Sequence, residues 1–218
     1  MYSESSEIVV LRPTQVFLAF LASQLPEINV PCLKILQTDC TAYVIKKHST
    51  NDATLDEIEK NFSAMFHHEI GRWLGKEAHN EIETNFMNFL CCFKFELHTH
   101  IILMEPSVRA GNQLIILKPR ASLLQWMKAT VEDDEELNNV MEQVNLSHLS
   151  ENATVIVKNF SRLQDIKSFL KQYYKPIFET AMSRMSNQSK KWPEVNTFQS
   201  FGKYFAIEIH TQLIHLNY

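Results

Sequence analysis

Asn85-Phe86-Met87-Asn88-Phe89-Leu90-Cys91-Cys92-Phe93-Lys94-Phe95-Glu96-Leu97-His98-Thr99 decides how this chain is read, because its pattern returns at Thr197-Phe198-Gln199-Ser200-Phe201-Gly202-Lys203-Tyr204-Phe205-Ala206-Ile207-Glu208-Ile209-His210-Thr211. The offset is constant at 198 − 86 = 112. Phe86, Phe89, Phe93, Glu96, His98 and Thr99 recur unchanged, while Phe95, Leu97 and Ile101 recur as Ile207, Ile209 and Leu213. Such a register marks two diverged tandem copies of one unit of about 105 residues. The three-to-four spacing of the apolar positions predicts a single helix from Phe86 through Ile101, repeated from Phe198 through Leu213, with its stripe in the core.

Outward from this segment the copies keep the same order. Val10-Leu11-Arg12-Pro13 matches Ile116-Leu117-Lys118-Pro119 at an offset of 119 − 13 = 106. These are β-branched runs closed by a basic residue and proline, which predicts a buried first strand ending in a turn. Phe17/Phe20/Leu21 and Leu123/Trp126/Met127 then carry helical spacing, and Ala42 to Ile45 and Thr154 to Val157 predict a second strand. Matching Ala42 to Ala153 implies an insertion of 111 − 106 = 5 residues in the second copy, near the acidic run Glu132 to Glu136. Thr54-Leu55-Asp56-Glu57 and Ser161-Arg162-Leu163-Gln164 predict capping boxes that open the second helix, with Pro176 inside the later copy as a kink. Its apolar positions, from Ile58 to Trp73, recur from Leu170 to Met185.

The resulting expectation is an α+β fold, a tandem pseudo-twofold repeat of a strand-helix-strand-helix-helix unit. Two strands make a marginal sheet, so the copies are expected to share one small sheet covered by helices. The Pro- and Gly-punctuated stretch 106–113 is the expected linker between repeat 1 at 7–105 and repeat 2 at 114–218.

Composition narrows function by exclusion. With 45% hydrophobic residues and a formal charge of −4, the chain is an ordinary globular protein lacking the positive field that recruits nucleic acid. Apolar runs are too short to cross a membrane, and Met1 to Glu7 is polar where a secretory leader would be apolar. Cys32, Cys40, Cys91 and Cys92 lack metal or redox spacing and read as free thiols, so a cytoplasmic location without nucleic-acid or membrane partners is expected. Gly71, Gly75, Gly111 and Gly202 are too few and scattered for a phosphate loop, and no cofactor is implied.

One polar constellation rises above packing, the repeated Glu-x-His at Glu96/His98 and Glu208/His210. On a helix the two residues of each pair would stand about 200° apart, so neither pair could act alone. A pseudo-twofold contact could instead bring Glu96 toward His210 and Glu208 toward His98, giving carboxylate-imidazole pairs for acid/base or metal chemistry. The plainer reading has each residue bordering the core and bonding neighbouring backbone. His67-His68-Glu69 and a Glu96/His100 pair are weaker candidates present in one copy only, since His67, His68 and His100 become Glu179, Thr180 and Gln212. Residues 1–106 carry 8 basic and 14 acidic side chains and residues 107–218 carry 13 and 11, an asymmetry that could orient a protein partner or self-association.

The basic-Pro closure of strand one, the short β-branched second strand and the F-x-x-F-x-x-x-F-x-x-E-x-H-T segment together resemble a family of small, uncharacterised bacterial cytosolic proteins with one such unit. Trp192-Pro193 and Phe198 to His210 carry the resemblance best, whereas the first copy has Asn80-Glu81 in place of Trp-Pro. The resemblance implies domain boundaries and a bacterial cytosolic setting, and no catalytic residue. The sequence therefore predicts a non-enzymatic interaction or regulatory module. The alternative is a small hydrolase or metal-binding enzyme with its site at the seam of the repeats.

Overall fold

In the computed structural model, residues 6–24, 31–75, 84–104, 111–131, 135–186 and 188–216 are described. The first half runs β1 (Ser6–Pro13), α1 (Gln15–Gln24), α2 (Leu33–Leu36), β2 (Thr41–Lys46), α3 (Asn51–Leu74), α4 (Phe86–Cys92), β3 (Phe93–His98) and β4 (Ile101–Leu103). The second runs β5 (Gln113–Pro119), α5 (Ala121–Thr130), α6 (Glu135–Gln143), α7 (Leu146–Glu151), β6 (Thr154–Lys158), α8 (Leu163–Met185), a 3-10 turn at Ser189–Lys191, α9 (Phe198–Tyr204), β7 (Phe205–His210) and β8 (Gln212–His215).

The fold is α+β, with two mixed four-stranded sheets in the orders β3-β1-β2-β8 and β4-β6-β5-β7. Read in opposite directions the two orders match strand for strand, which suggests a repeated unit. Each half makes three antiparallel strands of its own sheet and sends its last strand to the other. β8 pairs parallel with β2, from Thr41↔Gln212 to Val44↔His215, and β4 pairs parallel with β6, from Ile101↔Val155 to Leu103↔Val157.

Strand alternation builds three apolar layers from these sheets. Val9, Leu11, Tyr43 and Ile45 face the first half's helices and pack with Phe17, Met65, Phe66 and Phe89. Their counterparts Ile115, Leu117 and Ile156 face Leu123, Ile177, Phe178 and Phe201. The alternate residues Ile8, Val10, Ala42 and Val44 meet Leu114, Ile116, Val155 and Val157 between the sheets. The order is thus helices, sheet, sheet, helices. Ile8 to Leu11 and Leu114 to Leu117 are fully buried because both faces of β1 and β5 are covered, which is why they read as unbroken apolar runs.

Several expectations are corrected. There are two sheets, not one shared sheet, because the last segment of each half contains strands. The helix predicted through Ile101 is a seven-residue helix that turns at Phe93 into β3, and its counterpart turns at Phe205 into β7. Phe93, Phe95 and Leu97 alternate with Lys94, Glu96 and His98, and this period of two, favoured by pairing with β1, overrides the helical spacing of the aromatics. The predicted capping boxes do not form. Thr50 caps α3 by accepting from the Ala53 amide, and Arg162 precedes α8 without a side-chain cap. Strand pairing equates Val10↔Ala42 with Ile116↔Val155, so the offset there is 155 − 42 = 113 and the second half's insertion is 113 − 106 = 7 residues. The boundary at 105–110 and the acids at 132–134 lie outside the described residues.

Candidate functional site

Glu96 and His98 lie two apart on β3, on the same face, opposite Val10 and Ile8 of β1. Glu208 and His210 lie likewise on β7, opposite Ile116 and Leu114. Both pairs therefore point between the sheets, and the helical separation of 200° does not apply. Arg12 and Lys118, the basic residues that close β1 and β5, project onto the same layer.

The structure brings all six together. Arg12 Nε donates to Glu96 Oε1 at 2.5 Å, and an Nη of the same guanidinium bonds Glu208, so one cation bridges the carboxylates of the two halves. Lys118 Nζ donates to Glu96 Oε2 at 2.6 Å. His210 Nε2 lies 2.6 Å from Glu208 Oε1, and His98 Nε2 lies 3.5 Å from Glu96 Oε2. Each histidine thus lies beside the glutamate of its own strand, and the crossed Glu96-His210 and Glu208-His98 pairs that a pseudo-twofold contact could have made do not form.

Both histidines are fully buried, yet their tautomers differ. His98 Nδ1 faces the Ala153 carbonyl at 3.0 Å and must carry the proton there. His210 Nδ1 accepts the Cys40 amide at 2.9 Å, which leaves its proton on Nε2, toward Glu208. Cys40 and Ala153 are equivalent positions, one offering its amide and the other its carbonyl.

Electrostatics follow from this geometry. Burial alone would raise the Glu96 carboxyl, but the hydrogen bond and charge of Arg12 and the charge of Lys118 work against it, and the carboxyl is held well below the usual carboxylate range. The Glu208 carboxyl, also opposed by burial, is held at about 2 by His210 and Arg12. The Arg12 guanidinium loses by burial and gains more from Glu96 and Glu208, so its charge is secured. His98 is pushed down, chiefly by burial. Two cations face two carboxylates, and the network is balanced without an external ligand.

The threonine that follows each pair has an equally local role. Thr99 presents its amide and hydroxyl to Asn152 Oδ1 at 3.1 and 3.2 Å, and Thr211 presents the same groups to Asp39 Oδ1 and Oδ2 at 2.8 and 2.5 Å. Asp39 and Asn152 are equivalent at the offset of 113. They grip the chain where it leaves one sheet for the other. Arg72 and Arg184, equivalent at 112, reach the carbonyls of these two residues at 2.9 and 2.5 Å.

The weaker candidates separate. His100 Nδ1 bonds Thr154 Oγ1 at 2.8 Å, and His67 Nδ1 lies 3.3 Å from Ser63 Oγ. His68 joins a cluster that the sequence did not reveal, in which the buried Tyr43 hydroxyl lies 3.1 Å from His68 Nδ1 and 3.4 Å from Glu69 Oε1, and Arg72 lies 3.4 Å from Glu69. The second half has Ile156 and Ala181 at the positions of Tyr43 and Glu69, so the cluster belongs to one half only. Burial pushes the Cys40 thiol up to about 12 and the Cys92 thiol up to about 11, which keeps both protonated and unreactive.

Among the described residues, no three His, Cys, Asp or Glu side chains converge as a metal-binding group, and no helix is long and apolar enough to cross a membrane. Compared with protein-family models, with curated proteins and with solved structures, the chain matches none.

Proposed function

We propose that this protein is a non-enzymatic interaction or regulatory module whose two halves descend from one duplicated unit, and that the Glu-x-His pairs are the lock of its architecture. The observation that carries this reading is the bridge from Arg12 to Glu96 and Glu208. A general acid or base must exchange a proton with a substrate near neutral pH, and these carboxylates are held far below that range by fixed cations. Both imidazoles are committed to backbone groups at Nδ1, and His210 is committed to Glu208 at Nε2 as well. What the duplicated polar residues share is a position at the seam and crossover, where they join the halves.

Partner chemistry is then carried by the outer helical layers, and the acidic balance of residues 1–106 against the basic balance of 107–218 gives those surfaces opposite character. The bacterial, cytoplasmic setting implied by the resemblance belongs to the same proposal. Two measurements on the purified full chain test it together. Elemental analysis is expected to find no stoichiometric transition metal, and cross-linking in the native extract is expected to recover one protein partner in fixed ratio. A bound stoichiometric metal lost in Glu208→Gln would support the alternative, a hydrolase or metal enzyme built at the seam.

A further inference from the structure

The two halves differ most where the second carries its seven additional residues, between α5 and β6. That segment forms α6, a nine-residue helix with no buried residue. Leu137, Val140 and Met141 fall at i, i+3 and i+4 and share one face, and Leu137 and Val140 are 51% and 58% exposed. A short helix of this kind gains its stability from what its apolar face covers. Here that face forms one wall of a cleft of about 440 Å³, between α5, the end of α8 and the 3-10 turn.

Of the eleven described residues lining the cleft, seven are apolar, three are neutral and polar, and one is charged, Lys191. Trp126, Met127 and Met185 lie against the core beneath it. The Trp126 indole is already bonded to the Lys191 carbonyl at 3.0 Å, so it offers a surface and no free donor. In the first half the equivalent positions are Phe20, Leu21 and Trp73. There Leu21 is fully buried and Phe20 stacks on Phe17, so the core takes up what the second half leaves open.

We propose that this cleft binds a small amphiphile, a medium-chain aliphatic carboxylate, with the chain between α5 and α6 and the carboxylate at Lys191. The volume lies in the range of small-ligand sites, roughly 300–1,000 Å³. Three methionines suit a flexible aliphatic chain because their side chains adapt to it. Among the described lining residues the single charge is positive and none is a carboxylate, which favours an anionic head over a neutral or cationic one. This site is independent of the seam and goes beyond the interaction reading.

The test is calorimetric titration of the full chain with octanoate, decanoate and decanol below their micellar concentrations, with tryptophan fluorescence as a second readout. Affinity is expected to rise about three- to fourfold for each added methylene, and decanol to bind at least tenfold more weakly than decanoate. Lys191→Glu should abolish the preference for decanoate while leaving decanol unchanged. Val140→Glu, at an exposed position that keeps the fold by circular dichroism, should weaken both ligands tenfold or more. Absence of saturable binding, equal affinity for decanoate and decanol, or insensitivity to Val140→Glu would each overturn the proposal. So would saturable binding of a Leu/Lys amphipathic peptide in the absence of any decanoate binding, which would make the cleft a helix-docking groove.

Discussion

Glu96 accepts Arg12 and Lys118 and lies beside His98, so its removal takes from both cations the carboxylate they share, and of the two only Arg12 keeps its bond to Glu208. Glu96→Ala is therefore expected to cost about 3 kcal/mol, the scale for breaking a partly buried ion pair from one side, read as a lower urea midpoint at unchanged slope. The same chemistry sets the acid response. Glu208 titrates at about 2 in the fold against an ordinary 4.5, so its stabilisation is complete above 4.5 and is lost as pH falls toward 2. His100, lowered by burial and then by Arg184 to about 4, binds its proton in the unfolded chain first. Its contribution is whole above 6.5 and declines as pH falls toward 4, with buried His98 acting in the same direction. Urea midpoints measured across pH should accordingly fall in two stages. His100→Gln, which installs the residue of the other half, should flatten only the upper stage, and Glu208→Gln only the lower.

At the scale of elements, the crossovers decide whether strands exchange. Thr211 is held by both carboxylate oxygens of Asp39, whose backbone carbonyl is in turn held by Arg72. Asp39→Ala removes two charge-assisted hydrogen bonds and should cost about 2 kcal/mol, with faster amide exchange concentrated in β8. The residues of this device were visible in sequence, since Thr99 and Thr211 repeat with the Glu-x-His. Their partners were harder to find, because Asp39 and Asn152 differ in identity and sit across an insertion that shifts the offset from 106 to 113. Strands one and two and the first helix were legible because a continuous apolar run and a three-to-four stripe each admit one reading. The last segment admitted two. Its apolar residues at 86, 89, 93 and 97 satisfy helical spacing, and Phe93-Lys94-Phe95-Glu96-Leu97-His98 satisfies a period of two. Hydrogen bonding to β1 decides between them, and that partner lies 80 to 90 residues away, from Pro13↔Phe93 to Ile8↔His98. The helical choice also places Glu96 and His98 on opposite faces, whereas the strand puts them on one.

Over the whole molecule the exchange of last strands ties the two helical layers into one folding unit. The sheet that carries the first half's core is completed by Leu213 and Ile214, and the sheet that carries the second half's core is completed by Ile101 and Ile102. Leu213 is 5% exposed and packs between the sheets with Ile8, Val10, Leu114 and Ile116. Neither half can lose its sheet without exposing apolar residues of the other, because the inter-sheet layer is a single cluster drawn from both. Leu213→Ala should thus cost about 3 kcal/mol, the middle of the range for a buried leucine truncation, and that loss should register throughout the chain. The check is denaturant unfolding of variants that keep one tryptophan, Trp73 in the first half or Trp126 in the second, each with and without the leucine substitution. Coincident transitions, shifted equally by Leu213→Ala, are the expected result for two-state unfolding of an interlocked pair. A shift confined to the Trp73 signal would mean that the halves unfold separately and that β8 stabilises only the sheet it joins.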